Sequence, residues 1–186
     1  MLKNLLASTI FLIFLFLPAY IFVDKLFAQE QTSEYDLKAA FLYNFTQFVI
    51  WPDEVFIDPD SNFNICIFGK DPFAASLKNL VENEHVGKHP IKVVHVDEEQ
   101  QFKSCHMLFI AKDKIASTQN LNSELGLMPI LTIGDSPDFA DKSGVIGFGL
   151  SQQRIKLRIN LSQATARHLT ISSKLLRLSE VIEEKE

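Results

Sequence analysis

The stretch FNICIFGKDPFAASLKNLVENEHVGKHPIKVVHV, Phe63 to Val96, decides the fold. It opens on a short apolar run, Phe63–Phe68, that reads as a strand. Pro72–Asn83 follows Asp71, a suitable cap, and reads as a helix; Ile91–Val96 reads as a second strand. Strand, helix and strand in that order predict a βαβ unit with parallel strands. Toward the C-terminus, apolar runs at Cys105–Ala111, Pro129–Ile133 and Val145–Leu150 repeat the strand pattern. Asp97–Lys103 and Lys112–Leu125 separate them as short helical stretches, and Gly126 is a good stop for the second. A mainly parallel sheet flanked by helices is therefore the expected architecture, an α/β fold.

RIKLRIN, Arg154 to Asn160, differs in kind. Its strict alternation sets Arg154, Lys156 and Arg158 on one face and Ile155, Leu157 and Ile159 on the other, as in a half-exposed strand. Ser151, Gln152 and Gln153 are few enough to make a β-hairpin with the run before it. The cationic row either discourages edge-to-edge aggregation or meets an acidic partner. Beyond Asn160, a ready cap, the positions Ala164, His168, Ile171, Leu175, Leu178 and Ile182 step by four and three, which predicts a long C-terminal helix over Leu161–Ile182. That helix packs on the sheet or pairs with its counterpart in a homodimer. Glu183, Glu184 and Glu186 sit unfavourably at the negative end of its dipole, so its last turn should fray.

Toward the N-terminus, Leu37, Phe41, Phe45, Phe48 and Val49 recur at helical spacing between Ser33, a cap, and Pro52, which disfavours continuation past Trp51. Before this helix, Lys3 precedes an uncharged, mostly apolar run from Leu5 to Val23, and Ala28 offers a cleavage site. Residues 1–28 read as a signal peptide, or as an uncleaved anchor, since about 19 residues at about 1.5 Å each nearly cross a hydrocarbon core. Residues 29–186 then form a single domain outside the cytoplasm, with membrane contact only through that segment or a partner. In such a compartment the two cysteines, Cys66 and Cys105, are a disulfide candidate, the alternative being two buried thiols.

The net charge of −5 is interleaved rather than blocked, which disfavours a nucleic-acid binder. The sixteen Phe lie mostly within periodic stretches and read as core. Gly69-Lys70 lacks the rest of a phosphate-binding loop, and Gly134-Asp135-Ser136 lacks the pattern of a hydrolase nucleophile turn, so Ser136 reads as a strand-end turn. His85 and His89 have the i, i+4 spacing of metal ligands, but Gly87 and Pro90 argue against the helix this requires. No catalytic constellation, cofactor motif or metal site emerges. A binding or regulatory module fits better than an enzyme.

KAAFLYNFTQFVIWP, Lys38 to Pro52, and GVIGFGLSQQRIKLRINLSQATARHLTISSKLLRLSEVI, Gly144 to Ile182, behind an export signal, resemble the YfiR-like periplasmic regulators. FNICIFGKDPF and the run from Cys105 fit the same pattern, and the resemblance implies a Cys66–Cys105 disulfide. A second cysteine pair found in some members has no counterpart here. The resemblance further implies a periplasmic protein that represses a membrane-bound diguanylate cyclase through its sensory domain, lowering cyclic di-GMP and biofilm formation. Related chains serve other sensors, including histidine kinases, and a small-molecule sensor is the alternative; that reading expects a pocket at the C-terminal ends of the strands. Such an inhibitor needs a contact surface, and Trp51 and Phe56 after the first helix, or the row Arg154, Lys156 and Arg158, are the expected partner-binding residues.

Overall fold

The computed structural model describes residues 34–182, with Ile57, Ala74, Gln119, Ser143 and Gln153 excepted. The export segment, the Ser33 cap and the acidic tail after Ile182 lie outside the described residues. The chain begins with helix α1 over residues 34–48, then strand β1 (Val49–Ile50) and a 3₁₀ turn at Asp53–Phe56. Strand β2 (Phe63–Phe68), helix α2 (Ser76–Val81) and the pair β3 (His85–Val86) and β4 (His89–Val96) follow. A 3₁₀ stretch at Glu99–Ser104 leads into β5 (Met107–Ile110), α3 (Leu121–Leu125), β6 (Leu131–Gly134), α4 (Phe139–Lys142), β7 (Ile146–Ser151) and β8 (Arg154–Asn160). The chain closes with α5 (Leu161–Ala166), β9 (Thr170–Ile171), α6 (Ser173–Leu176) and β10 (Ser179–Ile182).

One eight-stranded sheet has the order β10-β8-β7-β6-β5-β2-β4-β3. Its centre, β4-β2-β5-β6-β7, is parallel throughout; β3 and β8 are antiparallel to their inner neighbours, and β10 runs parallel to β8. Both faces of β2, β5 and β6 are covered, which is why those strands are apolar at nearly every position. Ile65, Ile67, Met107 and Phe109 point toward α1 and α2, whereas Cys66, Phe68, Leu108 and Ile110 point toward Phe102, α3 and α4.

The hairpin of β7 and β8 pairs Ser151 with Arg154 through Ile146 with Ile159, in agreement with the alternation of RIKLRIN. The long C-terminal helix does not form. The chain leaves α5 at His168, in the left-handed region (φ 58°), and Thr170–Ile171 pair with Val49–Ile50 as a two-stranded ribbon. Ser172 then caps the single turn of α6, accepting from the Lys174 N–H, and Ser179–Ile182 add to the sheet beside β8. The four-three spacing misled because Ala164, Ile171 and Leu175 all reach the core through separate short elements. Leu178, assigned to the same seam, is 72% exposed. A homodimer through that helix loses its basis, and β8 is not the sheet edge.

The first helix also ends sooner, because Val49 and Ile50 join the ribbon with β9. Its buried face is Lys38, Ala39, Leu42, Phe45 and Thr46, which shares Phe45 with the expected stripe but replaces Leu37 and Phe41 by their C-terminal neighbours, and Leu37 is 46% exposed. Gly147 shows why this part of the sequence is glycine-rich. A Cβ there would stand 2.5 Å from the Pro137 carbonyl oxygen and 2.7 Å from that of Ser136, and at Gly134 and Gly144 the Phe139 ring fills the same space.

Candidate functional site

In an open parallel sheet, ligands usually bind outside the carboxyl ends of the strands, where the strand order reverses. Here the chain leaves β2 for β4 on one side and returns to β5 on the other, so the reversal lies between β2 and β5. That crevice is closed by the protein itself. Gly69 (φ +100°) lies so close to the loop after β5 that a Cβ would meet Lys114 Cγ at 2.7 Å and Asp113 Oδ1 at 2.8 Å, and the Lys70 N–H donates to Asp113 Oδ1 at 3.3 Å. The Lys114 ammonium lies over the Phe68 ring, 5.3 Å from its centroid.

Next to it, α1 plugs the end of β6. Lys38 Nζ donates to Asp135 Oδ1 at 2.6 Å and also bonds Glu34, while Tyr35 Oη donates to Asp135 Oδ2 at 2.8 Å. The Lys38 and Asp135 side chains are 5% and 4% exposed. Burial, followed by the bond to the Asp135 carboxylate, pushes the Tyr35 phenol well above its ordinary range, so it stays a hydrogen-bond donor. Sequence reasoning missed this cluster. Its only signal was a lysine within an otherwise apolar helix face, with Asp135 hidden in the Gly-Asp-Ser taken as a turn.

The open concave surface is at the opposite, N-terminal ends of the strands. A groove of about 500 Å³ runs past Val55, Asn64, Lys103, His106, Met128 and Ile130, and one of about 370 Å³ past Ile50, Trp51, Asp53, Phe56, Lys88 and His89. The 3₁₀ turn Asp53–Phe56 stands between them. The Phe56 ring stacks on His89 (centroids 4.7 Å) and on His106 (5.8 Å), and Phe63 stacks on His106 at 4.8 Å. Trp51 is 4% exposed and its indole N–H donates to the His106 carbonyl at 3.1 Å. Trp51 is therefore a core residue whose edge lines a groove, not an exposed contact; Phe56 is half-buried beside it. Both grooves lie at the N-terminal ends of the strands, away from the C-terminal ends where the small-molecule reading expects a pocket.

His106 holds the turn in place as a neutral ring. Its Nδ1 accepts the Asn64 N–H at 3.1 Å, so the hydrogen is on Nε2, and the ring also bonds the Val55 backbone. Burial lowers its pKa below the ordinary value, against the opposing pull of the Val55 bond and with a smaller push from His89. The folded state thus resists a proton that the unfolded chain accepts near pH 6.5. Stability should be full above about pH 6.5 and fall as the pH drops from there through the lower folded-state pKa. Thermal melts between about pH 7.5 and 5.5 should show this loss, and His106→Gln should flatten it; equal slopes would assign the acid sensitivity elsewhere.

The basic row belongs to neither end crevice. Arg154 and Lys156 are exposed on β8, on the face opposite α1. Arg158 is partly neutralised, with Nη1 2.7 Å from Asp141 and Nη2 3.2 Å from Glu180. The structure therefore brings Trp51 and Phe56 together at one site and keeps Arg154, Lys156 and Arg158 as another. Cys66 and Cys105 form a disulfide, and Cys105 borders the larger groove. His85 and His89 lie on the β3–β4 hairpin rather than a helix, with His89 Nδ1 2.9 Å from the Ser61 carbonyl oxygen.

Comparison with solved structures finds a conserved domain protein from Vibrio cholerae, at 13% identity and a TM-score of 0.49, covering 65% of this chain and 54% of that one. A 3-hydroxyacyl-CoA dehydrogenase from Archaeoglobus fulgidus matches at 11% identity and a TM-score of 0.33, over 67% and 58%. The chain thus spans little more than half the length of each. No curated protein matches. The YfiR/HmsC-like family model matches residues 35–180, from the α1 tyrosine that bonds Asp135 to the β10 glutamate that pairs with Arg158, and the chain belongs to the YfiR/HmsC-like family.

Proposed function

We propose that this protein is a periplasmic regulator that binds the sensory domain of an inner-membrane diguanylate cyclase and holds the cyclase inactive, lowering cyclic di-GMP and biofilm formation. The observation that carries the reading is the closed crevice: at the reversal between β2 and β5, where an α/β sheet ordinarily takes a small substrate, Asp113 and Lys114 pack against Gly69, and Lys38, Tyr35 and Asp135 fill the neighbouring end of β6. Membership of a family of periplasmic regulators supports it, and the disulfide fits an oxidising compartment. Inhibition of this kind needs no catalytic group. It needs tighter binding to the sensor's off state than to its on state, and a ten-thousandfold difference, about 5.5 kcal/mol, swings such an equilibrium almost completely. The contact uses Phe56 at the groove wall or the β8 row of Arg154, Lys156 and Arg158, with Trp51 acting from beneath as support.

The test is capture by the exported form, Gln29 to Glu186, from detergent-solubilised inner membranes, with bound proteins identified by mass spectrometry. Recovery of a membrane diguanylate cyclase is the expected result. Recovery of a histidine kinase would move the protein to a different class of sensor, and recovery of no membrane sensor would overturn the reading. The second reading, a small-molecule sensor, is favoured by the two open grooves, whose volumes suit small ligands. It predicts ligand-dependent shifts in melting temperature.

A further inference from the structure

The His106 ring commits both of its nitrogens to holding the Asp53–Phe56 turn against β2. Nδ1 accepts the Asn64 N–H at 3.1 Å, and the Nε2–H is left to bond the Val55 backbone. The backbone of the residue is tied as well: its N–H donates to the Asn64 carbonyl at 3.0 Å, and its carbonyl accepts the Trp51 indole N–H at 3.1 Å. Phe56 and Phe63 stack on the ring. A proton can enter only at Nδ1, and an imidazolium is a donor at both nitrogens. The new Nδ1–H and the Asn64 N–H would then be two donors facing each other, so the ring must leave Asn64, and the contacts that hold Val55 and Phe56 go with it. His89, on the Phe56 ring as well, is arranged differently. Its Nδ1 lies 2.9 Å from the Ser61 carbonyl oxygen and donates to it, so a proton entering at Nε2 leaves that bond in place.

We propose that His106 is an acid-operated latch: taking up a proton releases the Asp53–Phe56 turn and joins the two grooves that the turn separates. Val55 and His106 line the larger groove, Asp53 and Phe56 the smaller, so the turn is a wall of both and its displacement opens one into the other. The groups that bond or stack on the ring, Val55 and Phe56 of the turn and Phe63 and Asn64 of β2, are neutral. Asp53 and Glu54 on the turn and Lys103 on the groove wall are exposed, and none of them bonds the ring among the described residues. His89, on β4, opposes a charge on His106, so the two rings take their protons one after the other. The latch works whichever partner or ligand the grooves serve. An exported chain meets the acidity of its surroundings, and that is the signal such a turn reads.

Trp51 reports the opening. It is the only tryptophan of the chain, is 4% exposed, bonds the His106 carbonyl and meets the Phe63 ring edge-on. In the exported chain, the acrylamide quenching constant of its emission should rise about threefold as the pH falls from about 7.5 to about 5, while far-UV circular dichroism stays unchanged. His106→Gln keeps an acceptor and a donor without a titrating proton, and should hold the quenching constant at its neutral-pH value throughout. His89→Gln removes the opposing charge and should keep the rise, moved to higher pH. A rise that persists in His106→Gln, a constant that does not change in the wild type, or a rise that coincides with loss of the far-UV signal would overturn the proposal. Should His106→Gln fail to fold, nuclear magnetic resonance of the wild type decides the same point. The Asn64 amide should lose its protection from hydrogen exchange at the pH where His106 Nδ1 takes up its proton; protection retained through that titration overturns the latch.

Discussion

Asp135→Ala is expected to destabilise the protein by about 3–5 kcal/mol, the range for removing one partner of a buried ion pair. The replacement leaves the Lys38 ammonium, 5% exposed, with Glu34 as its remaining carboxylate, and Glu34 is more exposed and less able to compensate. It also removes the acceptor of the Tyr35 hydroxyl. At about 2–4 °C per kcal/mol for a chain of this size, the melting temperature should drop by roughly 10 °C. Lys38→Met combined with Asp135→Leu should recover most of that loss, since an apolar pair of similar volume avoids desolvating two charges. Denaturant unfolding of the three variants measures the comparison. A loss below about 1 kcal/mol for Asp135→Ala would mean that apolar packing alone holds α1 against the sheet.

The same cluster marks the boundary of what was legible in the sequence. Strands β2 and β8 were readable to the residue, because a buried parallel strand is apolar at nearly every position and a half-covered one alternates strictly. The parallel centre and the hairpin followed from their order. Lys38 broke the apolar pattern of α1, so the stripe was placed on Leu37 and Phe41 instead of Lys38 and Leu42. Its partner is 97 residues away, a separation that no local pattern reports.

The C-terminal misreading has a related cause. Ala164, Ile171 and Leu175 fall at helical spacing, yet Ile171 is held by pairing with Val49, a contact between the two ends of the domain. Tertiary pairing overrode local periodicity there. Phe56 and the basic row were visible as an aromatic after a helix stop and a regular cationic face. The burial of Trp51 and the neutralisation of Arg158 by Asp141 and Glu180 depend on which elements come to rest against them.

Removing the disulfide, by Cys66→Ala with Cys105→Ala, is expected to cost about 4 kcal/mol, the loop-closure entropy for a loop of this length. The bridge joins positions 39 residues apart, Cys66 within β2 and Cys105 just before β5, its parallel neighbour. Both half-cystines lie in the smaller core with Phe68, Phe102 and Leu108, so burial should shield the bridge from reductant until the protein unfolds. Urea unfolding with and without dithiothreitol measures both effects: the reduced protein and the double variant should share a lowered midpoint, and native protein should resist reduction. Reduction under native conditions with no change in midpoint would show that the bridge contributes nothing to the fold. Cys105 borders the larger groove, whereas β8 is separated from β5 by β6 and β7. Below its lowered melting temperature, the double variant should therefore loosen only at the groove end.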